Sequence, residues 1–358
     1  MLDVIELSGS PYEMGKQHGK LLASEIRDLA EIRLTLARNF ASDHGLSVTT
    51  EACLKIAEQF LPHHEQYSSE VFAEWQGIAD GAQIPLAEVF FANALTDFQD
   101  TLWQAKNVDV HGCTSFLVGG DATEDGSTLI GQTWDMHASA EPFIRVFRRQ
   151  PADGPSSLTM TTSGCLTLVG VNNAGIAVGN NNLRPNDARI GVVYLAMMHQ
   201  ALRQTDWRTA VSAITGAERA SGHNYVMAHE SGARSNIETT ANRVDEIKID
   251  ASWYVHSNHY LSPDLIPLED DTIERGSTEH RLKRLRERMT ENNEPLTPRL
   301  LNHLLADHEG GDPLGICRHG TGHDGRSCAF VVVNPADRCL WVSIGPPCEG
   351  TVEKYPLN

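Results

Sequence analysis

The sequence predicts an α+β protein in which helices cover a sandwich of antiparallel strands. Three observations predict it. The first ~110 residues carry helical periodicity, short strand-like segments begin at Cys113, and helical stretches interrupt those strands before two final strands close the chain. The 358 residues, 41% hydrophobic, supply enough apolar surface for a sizeable core.

The first helix starts at Ser10-Pro11-Tyr12-Glu13, a capping box with proline at the first helical position. Leu22, Ile26, Leu29 and Leu36 continue one apolar face. A second helical stretch runs near residues 50–80 through Ile56, Phe60, Val71, Phe72 and Trp75, and a shorter one follows Pro85 through Val89, Phe90 and Leu95. Gly77 and Gly81 punctuate between them. A β-hairpin is then predicted, with Thr114 to Gly119 and Ser127 to Trp134 as strands and Glu124-Asp125-Gly126 as the turn. Strand character recurs at 143–149, 157–162, 166–171 and 176–180, with Asn172-Asn173-Ala174-Gly175 as a turn. Helical sequence returns at 191–217, strands at 224–230, 235–240 and 253–259, and helices at 277–291 and 297–307. Residues 262–275 read as a surface loop, and strands 327–335 and 338–345 end the order. No repeat of fixed period and no low-complexity tract occurs.

Composition narrows the partners. A formal charge of −18 opposes encounter with nucleic acid and with anionic membranes, so neither is expected. The charged N-terminus lacks the apolar stretch of a signal peptide, and no run of apolar residues is long enough to span a bilayer. Seven cysteines, at 53, 113, 165, 317, 328, 339 and 348, are scattered without a C-x-x-C pair, so neither a disulfide framework nor a structural zinc site is expected. It places the protein in the cytoplasm with reduced thiols and no cofactor.

An amide-cleaving site needs a nucleophile, a base, oxyanion donors and charges to hold them. Cys113, at the head of the hairpin, is the first candidate. Were the Gly112–Cys113 bond cut, Cys113 would carry a free α-amine beside its own thiol, and that amine can serve as the base. Gly112 suits the scissile position because it has no side chain to obstruct attack. Thr114 offers a hydroxyl at the strand start. Asp135 lies at the far end of the returning strand, where it either caps a turn or anchors a positive charge near Cys113. Of the three asparagines 180–182, Asn181 shares a face with Gly179 by strand alternation. Asn258 stands in an otherwise apolar-aromatic strand, where an amide needs a reason. Arg326 opens the penultimate strand, as a surface residue or as a partner for the acid.

The ordered set GCT (112–114), GQxWD (131–135), VGxNxAGxAVxxNxL (169–183), VHxNHxL (255–261), ICR (316–318) and a late arginine before a strand resembles the acyl-coenzyme A:6-aminopenicillanic acid acyltransferase family. That family is a branch of the N-terminal nucleophile (Ntn) hydrolases, related to conjugated bile acid hydrolases and penicillin V acylases. SPYEMGKQHG (10–19) and GIADGA (77–82) extend the resemblance over nearly the whole chain. It implies a four-layer αββα sandwich and a proenzyme that cuts itself at Gly112–Cys113. Residues 1–112 would form a mostly helical α-chain and 113–358 a β-chain, joined as a heterodimer within one domain. By the same resemblance Cys113 is the nucleophile, Asp135 and Arg326 hold it, Asn258 stabilises the oxyanion, and Asn181 contacts the substrate amine or carbonyl. Arg318 also matches the family motif, without an assigned role. Two positions depart from the pattern: His111 stands where the acyltransferase has an acidic residue, and Tyr260 where it has a cysteine. The first bears on processing and the second on the acyl pocket.

The expected activity is hydrolysis of a small linear N-acyl amide through a thioester acyl-enzyme. The alternative is acyl transfer from a thioester or amide to an amine. Two further readings compete. A metal-dependent hydrolase would draw on 16 histidines, among them His63-His64-Glu65, His256/His259 and His319/His323, but no H-E-x-x-H helix occurs, and an odd offset sets His256 and His259 on opposite faces of a strand. An unprocessed, non-catalytic binding protein would keep the fold and stay whole.

Overall fold

The computed structural model describes residues 2–43, 45–102, 112–272 and 275–358. Its elements, in chain order, begin with β1 (Val4–Gly9), α1 (Pro11–Leu21), α2 (Ala23–Asp43), α3 (Thr50–Tyr67), α4 (Ser69–Ala82), α5 (Leu86–Asn93) and α6 (Leu95–Leu102). After them come β2 (Ser115–Val118), β3 (Leu129–His137), β4 (Ile144–Pro151), β5 (Ser157–Thr162), β6 (Val169–Asn172), β7 (Ile176–Leu183), α7 (Tyr194–Leu202) and α8 (Trp207–Thr215). The remainder is β8 (Gly222–His229), β9 (Arg234–Thr239), β10 (Val244–Lys248), β11 (Trp253–His256), α9 (Gly276–Glu291), α10 (Pro298–Leu305), β12 (Gly325–Asn334), β13 (Cys339–Ile344) and β14 (Glu353–Pro356).

The strands form two sheets, ordered β1-β4-β5-β6-β7-β8-β9-β10 and β11-β2-β3-β12-β13-β14. All named pairings are antiparallel except β1 with β4. Strand alternation explains the layering. In β2, Leu117 joins the core shared with the eight-stranded sheet, while Phe116 and Val118 face Leu282, Leu285 and Leu301 of α9 and α10. In β12, Val331 and Val333 point inward while Phe330 and Val332 point to the same two helices. On the far side α1 and α7 pack on the eight-stranded sheet, with α4 against both. The result is the αββα sandwich that the family resemblance implies. β1, from the N-terminal segment, is a strand of the sheet built by the rest of the chain.

The predicted capping box is present: Glu13 N–H donates to Ser10 Oγ at 3.3 Å, and Ser10 N–H donates to Glu13 Oε2 at 2.8 Å. Gly77 and Gly81 do not punctuate helices as predicted. They lie inside α4, where a Cβ would stand 2.2 Å from Tyr12 O and 2.5 Å from Lys16 O of α1. Gly15 and Gly19 return the approach from α1, so the two helices meet backbone to backbone. Three strands escaped the sequence reading. β1 and β14 are short edge strands, and β10 (VDEIK) is too polar and exposed to show alternation. β11 ends at His256, so Asn258 follows the strand and does not lie within it.

Candidate active site

The β2–β3 hairpin sets the register of the site. Ser115 pairs with Gln132, and Thr114 N–H donates to Thr133 Oγ1 at 3.1 Å, which carries Asp135 back beside Cys113. The Cys113 side chain is buried, and the backbone N–H of Asp135 points at its sulfur. Burial is the main cause that pushes this thiol up to about 12, and the Asp135 carboxylate adds to it; the Asp135 N–H and the Arg281 charge oppose the rise. Burial also lifts the Asp135 carboxyl above its ordinary range, against the nearby charges of Arg318 and Arg281. The thiol of the uncut chain is therefore protonated near neutral pH.

Arg281 of α9 closes over this corner. Its fully buried guanidinium donates from Nη1 to the Cys113 carbonyl and to Thr114 Oγ1, both at 2.9 Å, and from Nη2 to Asn258 Oδ1 at 3.0 Å. Asn258 in turn donates from Nδ2 to the Asn182 carbonyl at 2.9 Å. Thr278, one helical turn before Arg281, accepts from Asn258 N–H at 2.7 Å and donates to Ser257 Oγ at 2.9 Å. One end of α9 thus fixes the loop that carries Asn258. From the other sheet, Asn181 Nδ2 donates to the Cys113 carbonyl at 3.1 Å, and its Oδ1 accepts from Ser115 Oγ at 2.5 Å and Asn224 Nδ2 at 3.2 Å. A Cβ on Gly112 would lie 2.0 Å from Arg281 Nη2 and 2.6 Å from Asn258 Oδ1. A side chain at 112 would therefore displace both of these buried groups.

Cys113 opens onto a cavity of about 320 Å³. Leu36, Phe40, Leu95, Trp134, Leu168 and Tyr194 give it an apolar wall. Its polar wall contains Asp100, Arg184 and His223, which are paired: Arg184 Nε lies 3.4 Å from Asp100 Oδ1 and Arg184 Nη2 3.1 Å from Asp270 Oδ2, and His223 Nε2 lies 3.5 Å from Asp97 Oδ2. Burial raises the Asp100 carboxyl to about 6, with the Arg184 charge and the Ser221 hydroxyl opposing. A small, largely apolar pocket with a few convergent polar groups is the general form of a small-molecule site.

The family model described as Acyl-coenzyme A:6-aminopenicillanic acid acyl-transferase matches residues 122–349. The chain belongs to that family. Among characterised relatives, the 40 kDa form of acyl-coenzyme A:6-aminopenicillanic-acid-acyltransferase from Emericella nidulans is 27% identical over 358 residues, covering 96% of this chain and 92% of its own. An uncharacterized protein of Archaeoglobus fulgidus is 25% identical over 300 residues, 75% of this chain and 49% of its own length. Among solved structures, a variant of conjugated bile acid hydrolase from Clostridium perfringens aligns with a TM-score of 0.47 at 12% identity, over 69% of this chain and 93% of its own. Penicillin V acylase from Agrobacterium tumefaciens aligns with a TM-score of 0.40 at 12% identity, over 68% and 86%.

The fold of this acyltransferase-family chain brings together Gly112, Cys113, Thr114, Asp135, Asn181 and Asn258. It does not bring Arg326 to them. Arg326 alternates away from Ser327, the residue paired with Asp135, and its Nε donates to Glu141 Oε2 at 2.6 Å while Nη2 meets Glu349 Oε2 at 3.1 Å. Arg318 of the ICR motif is buried, its backbone N–H donates to Ser327 Oγ at 3.1 Å, and its charge lowers the Asp135 carboxyl more than that of Arg281. Tyr260 is buried away from the cavity, its hydroxyl donating to the Thr239 carbonyl at 2.8 Å and its ring against Leu183 and Leu265. His111 lies outside the described residues. Arg281, Thr278, Arg184 and His223 were missed. α9 reads GSTEHRLKRLRERMTE, and nothing in that run separates Arg281 from its three neighbouring arginines until the helix docks. His256 and His259, weighed as ligands, take separate partners: His256 Nε2 meets Glu238 Oε1 at 2.8 Å, and His259 Nδ1 meets Thr278 Oγ1 at 3.0 Å. Among the described residues no helix is long and apolar enough to cross a membrane.

Proposed function

We propose that this member of the acyltransferase family is a self-processing Ntn cysteine amidohydrolase that cleaves the linear amide of a small N-acyl compound. The observation that carries the reading is the packing at Gly112–Cys113: a buried thiol directly follows a glycine whose Cα is covered by the Arg281 and Asn258 side chains. In processing, the Cys113 sulfur attacks the Gly112 carbonyl carbon, the peptide C–N bond breaks, and the nitrogen leaves as the α-amine of Cys113. Water then cleaves the thioester, leaving a carboxylate on Gly112. The new amine, titrating near ~7.7–8.0 in the absence of perturbation, becomes the base for the thiol.

In turnover the same sulfur attacks the substrate carbonyl. Asn258, held by Arg281 and Thr278, supplies an amide to the developing oxyanion, with Asn181 across the cleft. Asp135 and Arg318 balance charge behind the nucleophile. The substrate amine leaves with a proton from the α-ammonium, and water releases the acyl group. The apolar wall of the cavity suits the acyl portion. Acyl transfer to an amine is the second reading, favoured by the 27% identity to the Emericella acyltransferase over 96% of the chain.

Intact-mass spectra of wild type and Cys113→Ala under denaturing conditions test the proposal. Two wild-type masses matching 1–112 and 113–358, with one full-length mass for the variant, support it, and a screen of N-acyl amides with and without amine acceptors then separates the two activities. A wild type that stays whole under all conditions favours the non-catalytic reading.

A further inference from the structure

At one end of the six-stranded sheet, near the start of β12 and the end of β13, four residues that form no metal-binding motif converge. His308 and His319 come from the α10–β12 connection, Cys317 from the same connection, and Cys348 from the β13–β14 loop. One ligand atom from each lies within 4.8 Å of all the others. The separations are 3.0 Å for His308 Nε2 to His319 Nε2, 3.6 Å for Cys317 Sγ to His319 Nε2, 3.4 Å for Cys348 Sγ to His319 Nε2, and 3.6 Å between the two sulfurs. A zinc ion with bonds of ~2.3 Å to sulfur and ~2.0–2.1 Å to nitrogen needs tetrahedral edges of ~3.8 Å for S–S, ~3.6 Å for S–N and ~3.3 Å for N–N. The observed edges match these within a few tenths of an ångström.

The surroundings are built for such a site. His319 Nδ1 lies 3.1 Å from Glu349 Oε1, so the ring can donate to a carboxylate while its other nitrogen ligates. That arrangement sets the tautomer and orients the ring. The segments are pinned independently: Cys317 N–H donates to the Asp307 carbonyl at 2.9 Å, His319 N–H to Asp312 Oδ2 at 3.3 Å, and Asp307 is gripped by Arg284 and Arg288. Two thiolates would neutralise a divalent cation.

We infer that His308, Cys317, His319 and Cys348 form a Cys₂His₂ site for a tetrahedral transition-metal ion, zinc by ligand type. Four protein ligands leave no open position, so the ion is structural and takes no part in bond cleavage. It ties the β13–β14 loop to the Ile316–His319 segment. Arg318, whose charge acts on Asp135 behind the Cys113 thiol, stands between two of the ligands. The metal would therefore hold the arginine of the ICR motif in place. No metal is expected from the sequence, because these four residues are spaced 9, 2 and 29 apart (308, 317, 319, 348) and form no local ligand motif.

Full-length protein, purified without chelator and then loaded with zinc and freed of excess by gel filtration, tests the inference by elemental analysis. About one zinc per chain is expected. Cobalt loading of the wild type and of Cys113→Ala should give thiolate-to-cobalt charge-transfer bands and the intense visible bands of a tetrahedral ion, identical in both because Cys113 is not a ligand. Cys317→Ser/Cys348→Ser should retain neither metal, and Glu349→Gln should bind about 10–100-fold more weakly. The wild-type cobalt spectrum decides the matter even if the double variant fails to fold. A zinc content near zero after loading, or a Cys317–Cys348 disulfide that survives treatment of the folded protein with excess thiol reductant, would overturn the inference. These readouts do not depend on processing or amidase activity, so they separate its failure from failure of the proposed function.

Discussion

Arg281 and Arg326 give the sharpest test, because the sequence pattern points to one and the fold to the other. Arg281→Met removes three hydrogen bonds from a fully buried guanidinium: one to the Cys113 carbonyl, one to Thr114 Oγ1 and one to Asn258 Oδ1. Two of these bear directly on the reacting segment. Hydrogen bonds to charged groups are worth about 1.5–3 kcal/mol each, so loss of both in the transition state slows processing by on the order of 10²–10⁴. Arg326→Met breaks pairs with Glu141 and Glu349 that remain open to solvent, with 19% of the arginine side chain exposed. Such pairs are worth about 0–1 kcal/mol each, so loss of both changes the rate by at most about 30-fold. Timed intact-mass spectrometry of refolded or freshly translated precursor reads both rates. Thermal melts and an Arg281→Lys variant, which keeps the charge, report whether the Met variant is folded. Wild-type processing in folded Arg281→Met, or arrest in Arg326→Met, would refute the assignment.

Gly112→Ala should arrest processing while the chain still folds, since the new Cβ displaces the Arg281 and Asn258 side chains it would otherwise touch at 2.0 and 2.6 Å; a wild-type ratio of cut to uncut mass contradicts this. The raised Cys113 thiol predicts that processing speeds up about tenfold per pH unit from pH 7 to 9 without levelling, and a plateau near the ordinary thiol value of ~8.5 argues against it. Asp100 titrates at about 6 in the fold against an ordinary 3.8, so the fold favours its protonated form. That contribution to stability is complete below pH 3.8 and is lost as the pH rises through 6. At about 1.4 kcal/mol per pH unit it amounts to about 3 kcal/mol. Asp100→Asn should therefore gain roughly that much on the wild type between about pH 4 and 8 in denaturant unfolding. A constant difference between the two proteins would mean that Asp100 does not titrate in this way.

Much of the fold was legible because its signals are local. The Ser10 capping box, the strand at 157–162 and the helix at 277–291 are written in residues that touch one another along the chain. The Gly-Cys-Thr step and GQTWD could be related because a short hairpin of known register joins them, so Asp135 was placed beside Cys113 from the sequence. Polar edge strands such as β10 carried no alternation to read, and Gly77 and Gly81 showed their purpose only when α1 arrived against α4.

What the sequence determined by itself was therefore the α+β order, the Gly112–Cys113 step at the head of a hairpin, and the family. These depend on contiguous motifs and on periodicity. The tertiary structure alone decided which arginines lie around Cys113 and Asp135. Arg281, Arg318 and Arg326 are equivalent in charge, and they separate only when α9 docks over Gly112, the connection before β12 buries Arg318 where its charge acts on Asp135, and alternation along β12 turns Arg326 toward Glu141. It also decided that two cysteines and two histidines as far apart as 308 and 348 meet at one point, because chain separation carries no information about distance once a strand pair returns one loop to another.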